Sequence, residues 1–211
     1  MTLSPRRSRR VKTAVAMVFA ALAALAATRA TAAPTPALSD APAEMSAGIT
    51  DDAALPLPAR RQVDGSLSAE RVAAMTLAAR RYYGFWDSGD AALARAALAP
   101  DFLDRALPPG RPQGVEGPVL ASRQFRAAVP DLRVTVEEML VVGDRVVGRL
   151  RFSGHFSGTF GAGEHARRGD GRAISFIATD IYRIDGSGRI AENWHLEDNL
   201  ALLAQLGVVT P

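Results

Sequence analysis

The sequence predicts an α+β fold, with helices first in the chain packed on one face of a curved antiparallel sheet built by the second half. Apolar residues recur at intervals of three and four up to about residue 128, and from residue 132 the period changes to two. The turn signals Gly143-Asp144 and Asp185-Gly186-Ser187-Gly188 separate alternating runs at hairpin spacing, with no helical pattern between them as a βαβ unit would require.

The N-terminus has its own composition. Arg6, Arg7, Arg9, Arg10 and Lys12 lead into the apolar run 13–27, and Ala30-Thr31-Ala32 places small residues in cleavage-site spacing. Residues 1–32 are therefore predicted to be a signal peptide cut after Ala32, giving a periplasmic or extracellular protein. The run is shorter than the roughly 20 residues that span a bilayer, so a retained anchor is the alternative reading. Ser8-Arg9-Arg10-Val11-Lys12 partly resembles a twin-arginine signal, with Thr13 where a strong hydrophobe is usual. Residues 33–65 are rich in Ala, Pro, Asp and Ser and read as a flexible linker. The folded unit is expected over 66–211.

Charge follows the same boundary. The chain has 25 Lys and Arg against 22 Asp and Glu, but six of the basic residues precede residue 34. The remainder carries −3, which offers no footprint for nucleic acid. With no cysteine there is no disulfide framework, no thiol nucleophile and no lipoprotein anchor.

Each element has a local reason. Ser68 can cap a helix with Glu70 in its first turn, and Val72, Met75, Ala79, Tyr82 and Trp86 draw one apolar stripe. Ser88-Gly89-Asp90 breaks it; a short helix over 91–98 then leads into an extended segment around Phe102 and a loop over 108–117. Pro118 fits the first position of a third helix, which Val129-Pro130-Asp131 ends. Leu132, Val134 and Val136 begin the strands, which continue over 145–156, 172–184 and 189–194. Residues 199–206 form a last helix, closed by Gly207.

Three residues draw chemical interest. Asp180 shares parity with Ile174, Phe176, Ala178, Tyr182 and Ile184, and a carboxylate on an apolar face is costly unless paired or used. It reads either as a hydrogen-bonded structural Asp or as a pocket acid beside Tyr182. His155 shares a face with Arg149, Arg151 and Ser153, a solvent-like set, unless Gly154 marks a bulge that re-aims it. Asp198 stands where an N-cap for the last helix belongs. His155, His165 and His195 form no metal-ligand pair at helical spacing, so no metal is expected. No Gly-x-Ser-x-Gly elbow occurs, and the glycine-rich run 158–163 lacks the Lys-Ser/Thr of a phosphate loop. That run, with 164–171, reads as a mobile polar loop overhanging a pocket mouth.

Pro100-Asp101-Phe102, the run 125–132, Gly154-His155-Phe156-Ser157-Gly158, Asp180-Ile181-Tyr182-Arg183, Asn193-Trp194-His195-Leu196-Glu197-Asp198-Asn199 and Gln205-Leu206-Gly207 together resemble the SnoaL-like polyketide cyclase (ester cyclase) family. The resemblance implies a nuclear transport factor 2-like cone with a deep pocket, a homodimer, and aldol ring closure of a polyketide ester by an acidic residue without metal or cofactor. Its best match for that acid is Asp198, four residues after Trp194; His155 matches the His of a Gly-x-His-x-Gly pattern. Asp180 and Tyr182 would assist, with Trp194, Phe176, Tyr83 and Trp86 as pocket walls. Arg105 departs from the pattern, standing where Asp-Phe-x-x-His would place a histidine. It reads as a surface residue or as an anion-binding group. Two functions follow: an exported enzyme acting on a small hydrophobic carbonyl compound, or a non-catalytic binding or dimerization module of the same fold.

Overall fold

The computed structural model describes residues 52–210. The expected signal peptide and the first part of the expected linker lie outside the described residues.

Ser68 accepts from the Arg71 amide at 3.2 Å and starts helix α1, Ala69–Ser88. Gly89 ends it at φ 80°, its amide returning to the Phe85 carbonyl at 2.7 Å. The helix buries Met75, Ala79 and Tyr82 of the predicted stripe, together with Tyr83 and Phe85. Asp90 caps α2, Ala91–Ala97, which runs directly into strand β2, Leu98–Asp104. Helix α3, Glu116–Ala128, begins two residues before Pro118, and α4, Asn199–Gln205, stops at Gly207 with φ 69°.

The sheet differs from an all-antiparallel one at both edges. Strands β3 (Arg133–Val142), β4 (Arg145–Phe156), β7 (Arg172–Ile184) and β8 (Ile190–Glu197) pair antiparallel in that order. Strand β1, Arg61–Val63, adds parallel to β3, and β2 adds parallel to β8. Helix α1 packs across β3 and β4, and α4 packs on β7. Among the described residues this is a mixed α+β arrangement, a curved sheet with four α-helices, in keeping with the cone that the resemblance implied.

Segment 52–65 is the first correction. Instead of acting as linker, it is fastened to α1. Leu55 is buried in the core, the Arg80 guanidinium reaches the carbonyls of Asp52, Leu55 and Pro56, and Arg81 pairs with the Asp52 carboxylate at 2.9 Å. Proline-rich composition signals poor helix and strand propensity, yet here the backbone carbonyls find arginine donors and one leucine supplies the apolar anchor.

A bulge at Glu137 shifts the β3 register between Val136 and Glu138. Inward positions therefore pass from Val134 and Val136 to Met139 and Val141. Within the expected loop over 158–171, β5 (Thr159–Phe160) and β6 (Arg167–Arg168) form a small ladder. Gly158 seats it against the end of α3, since a Cβ there would overlap the Ala127 carbonyl.

Candidate active site

Between the helices and the inner face of the sheet lies a cavity of about 480 Å³. Its walls are apolar: Tyr82 and Trp86 from α1, Leu120 and Phe125 from α3, Phe152 and Phe176 from the sheet, Phe160 from β5, and Leu202 and Leu203 from α4. Phe152 and Phe176 stack at 5.1 Å between centroids; Phe125 meets Phe176 edge-on at 5.7 Å, and Trp86 meets Phe152 edge-on at 6.0 Å. Polar groups gather at one end: Asp104, Arg111, Asp180, Asn193, His195 and Glu197.

Strand β8 puts these groups there by an inverted pattern. Its polar residues Asn193, His195 and Glu197 face the cavity, and the apolar Trp194 and Leu196 face outward. Parallel pairing of β2 with β8 sets Asp104 opposite Asn193. The Asp104 carboxylate thereby reaches Nε2 of His195 at 3.1 and 3.2 Å, and Oε1 of Glu197 lies 2.7 Å from Nδ1. Burial alone would lower the imidazole pKa, but the two carboxylates raise it to about 10. His195 is therefore an imidazolium with both N–H groups engaged. The cation in turn overcomes burial to hold both carboxyls below their usual range.

Asp180 comes from β7 and is 6 % exposed. Burial raises its pKa to about 6, against the opposing effects of the Tyr182 hydroxyl and the His195 charge. Tyr182 donates to Oδ2 at 2.7 Å. Asp180 can thus take or return a proton near neutral pH inside an apolar chamber, with a fixed positive charge nearby.

Of the residues singled out in the sequence, the structure brings Asp180, Phe176 and Trp86 to the cavity wall, with Tyr182 behind Asp180. The others lie elsewhere. Asp198 is exposed and caps α4, accepting from the Ala201 amide at 3.0 Å. His155 keeps the strand's regular parity and lies in solvent, its Nδ1 2.6 Å from Asp131. Gly154 serves packing rather than a bulge, because a Cβ would collide with Val129. Trp194 faces out beneath the Arg145 guanidinium, 4.8 Å from the ring centroid. Arg105 pairs with Glu192 at 2.5 Å. Tyr83 is fully buried in the core, its ring filling the space that Gly148 leaves empty. Sequence reasoning missed Asp104, Arg111, Asn193, His195 and Glu197 as site residues. Among the described residues, no group of three or more His, Cys, Asp or Glu is placed to hold a metal ion.

Comparison with known proteins agrees with this architecture. Residues 76–206 match the SnoaL-like polyketide cyclase family, and the chain belongs to that family, within the nuclear transport factor 2-like fold. A candidate polyketide cyclase from Bacillus cereus ATCC 10987 is 39 % identical, with a TM-score of 0.67 over 74 % of this chain and 96 % of that one. TsrD from Streptomyces laurentii is 28 % identical, with a TM-score of 0.56 over 68 % and 100 %. IdmH from Streptomyces antibioticus, a candidate polyketide cyclase, is 30 % identical, with a TM-score of 0.54 over 63 % and 98 %. No protein of curated function matches the chain.

Proposed function

We propose that the protein is an acid/base enzyme acting on a small hydrophobic carbonyl compound, catalysing aldol-type cyclization or isomerization with Asp180 as general base and acid. One observation carries the reading: a buried carboxyl titrating near 6 opens on an apolar cavity of ligand size. In the first step a carboxylate oxygen of Asp180 takes a proton α to the carbonyl. The C–H electron pair becomes a C=C bond and the carbonyl π pair moves to oxygen as an enolate. The enolate carbon then attacks a second carbonyl of the same molecule, whose π pair moves to oxygen and takes the proton back from Asp180; in a conjugated substrate the dienolate instead takes that proton back at its γ carbon. Aromatic walls exclude the water that would return Asp180 to an ordinary pKa.

The test is exchange of α-deuterons from an aromatic β-keto ester into water, followed by NMR. Asp180→Asn should slow it by about 10²-fold or more. Bound keto ester that undergoes no exchange on the wild-type protein would instead support the binding module.

The pattern of residues 1–32 supports export, tested by the N-terminal sequence of protein recovered outside the cytoplasm. Outward-facing Trp194, Ile181 and Leu196, the last 75 % exposed, support a homodimer through the outer sheet face, tested by sedimentation.

A further inference from the structure

The reaction proposed above needs a donor for the enolate oxygen, and most polar groups in the cavity are already committed. Both N–H groups of His195 are directed at Asp104 and Glu197, and the Tyr182 hydroxyl is directed at Asp180. Arg111 differs. It lines the same polar end, yet its guanidinium makes no ion pair or side-chain hydrogen bond with any described residue. Asp104, Glu197 and Tyr82 face it closely enough to act through charge, and Asp180 shares the last two as neighbours. The other arginine of the lining, Arg123, is exposed.

Arg111 is also held in place. Its stem lies over Gly117, where a Cβ would stand 3.5 and 3.6 Å from its γ and δ carbons. The loop that carries it is clasped by Gln113, whose side chain accepts from the Asp104 amide at 2.7 Å and donates to the Asp104 carbonyl at 3.0 Å. A half-buried guanidinium with open donors, on a fastened loop of the cavity that Asp180 also lines, is preorganised for an oxygen that gains charge during reaction.

We propose that Arg111 is the enolate-binding residue of this site, so that the cavity selects ligands bearing an enolizable or anionic oxygen on a hydrophobic body. As Asp180 takes the proton, negative charge leaves the carboxylate and appears on the substrate oxygen, where the guanidinium receives it. Asp104 and Glu197 share the single positive charge of His195 throughout, so the cluster keeps a net charge of −1 while the charge on Asp180 moves to the substrate. The inference rests on the proposed role of Asp180, but its test does not depend on turnover.

The probe is 4-nitrophenol, whose visible absorption distinguishes phenolate from phenol. Wild-type protein should favour the bound phenolate at least tenfold over the equilibrium in water. Arg111→Gln should lose that preference while still binding the neutral phenol, and Arg111→Lys should restore part of it. Asp180→Asn should keep or strengthen it, because a negative neighbour is removed; loss of turnover and loss of anion preference are therefore separate results. A wild-type protein that leaves the probe's ionization unchanged, or does not bind it, overturns the proposal without recourse to any variant. So does an Arg111→Gln protein that retains the preference.

Discussion

The Tyr182 hydroxyl reaches Oδ2 of Asp180 at 2.7 Å from the next inward position of the same strand, and its ring is fully buried behind the carboxyl rather than in the cavity. Alternation along β7 thus supplies both the acid and a donor that favours its ionized form. Tyr182→Phe removes that donor, so the Asp180 pKa should rise further above about 6. Because the proposed base acts when ionized, the acidic limb of the kcat/KM profile should move to higher pH and activity at pH 7 should fall. A profile that loses height with no change in its midpoint would reduce Tyr182 to a packing residue.

Asp180 should also cost the fold stability. Its pKa is raised from an ordinary 3.8 to about 6, so the unfolded chain ionizes first as pH rises, and stability is lost between those two values. Above pH 6 the cost is about 3 kcal/mol. Asp180→Asn should therefore be more stable than wild type at pH 7.5 and nearly equal to it at pH 3.5, as read from urea unfolding at the two pH values. Equal stability at pH 7.5 would mean that the carboxyl ionizes without penalty.

The cluster of Asp104, His195 and Glu197 works in the opposite sense. The imidazole is raised to about 10, so its contribution is complete below the ordinary histidine range and is lost as pH climbs through 10. The two carboxyls are lowered, so theirs is present above the ordinary carboxylate range and is lost as pH falls through their folded values. His195→Gln should cost about 3–5 kcal/mol at pH 7, because it leaves carboxylates uncompensated at a largely buried position. The accompanying Asp104→Asn change should recover part of that loss. If the double variant were no more stable than the single one, the ion pair would not be the source.

Only the Asp180 part of the polar arrangement is legible in the amino-acid sequence. Residue parity alone places Asp180 on the apolar face with Phe176 and Tyr182, and it places His155 with the solvent-facing arginines. Most of the rest is hidden for two physical reasons. In β8 the apolar residues Trp194 and Leu196 point outward and Asn193, His195 and Glu197 inward, so the rule that sends hydrophobes to the core reads this strand backwards. Asp104 meets His195 across 91 residues only because β2 joins the sheet parallel to β8, a pairing that no turn signal announces. The signal that could expose it is local: Asp104 shares parity with the buried Phe102, a second carboxylate on an inward face.

Asp198 shows how a family motif and a physical role can separate. Its side chain accepts from the Ala201 amide at 3.0 Å and its own amide donates to the Ile177 carbonyl at 2.9 Å, so it joins the end of β8 to α4 from outside the cavity. Helix α4 supplies Leu202 and Leu203 to the cavity wall, which makes the cap indirectly relevant to ligand binding. Asp198→Ala should cost about 1 kcal/mol of stability. Asp198→Asn, which can still accept from the same amide, should cost only a few tenths. Neither should move the pH profile of turnover, because Asp180 lines the cavity and Asp198 does not. An Asp198→Asn protein with wild-type stability and no α-proton exchange would transfer the base assignment from Asp180 to Asp198.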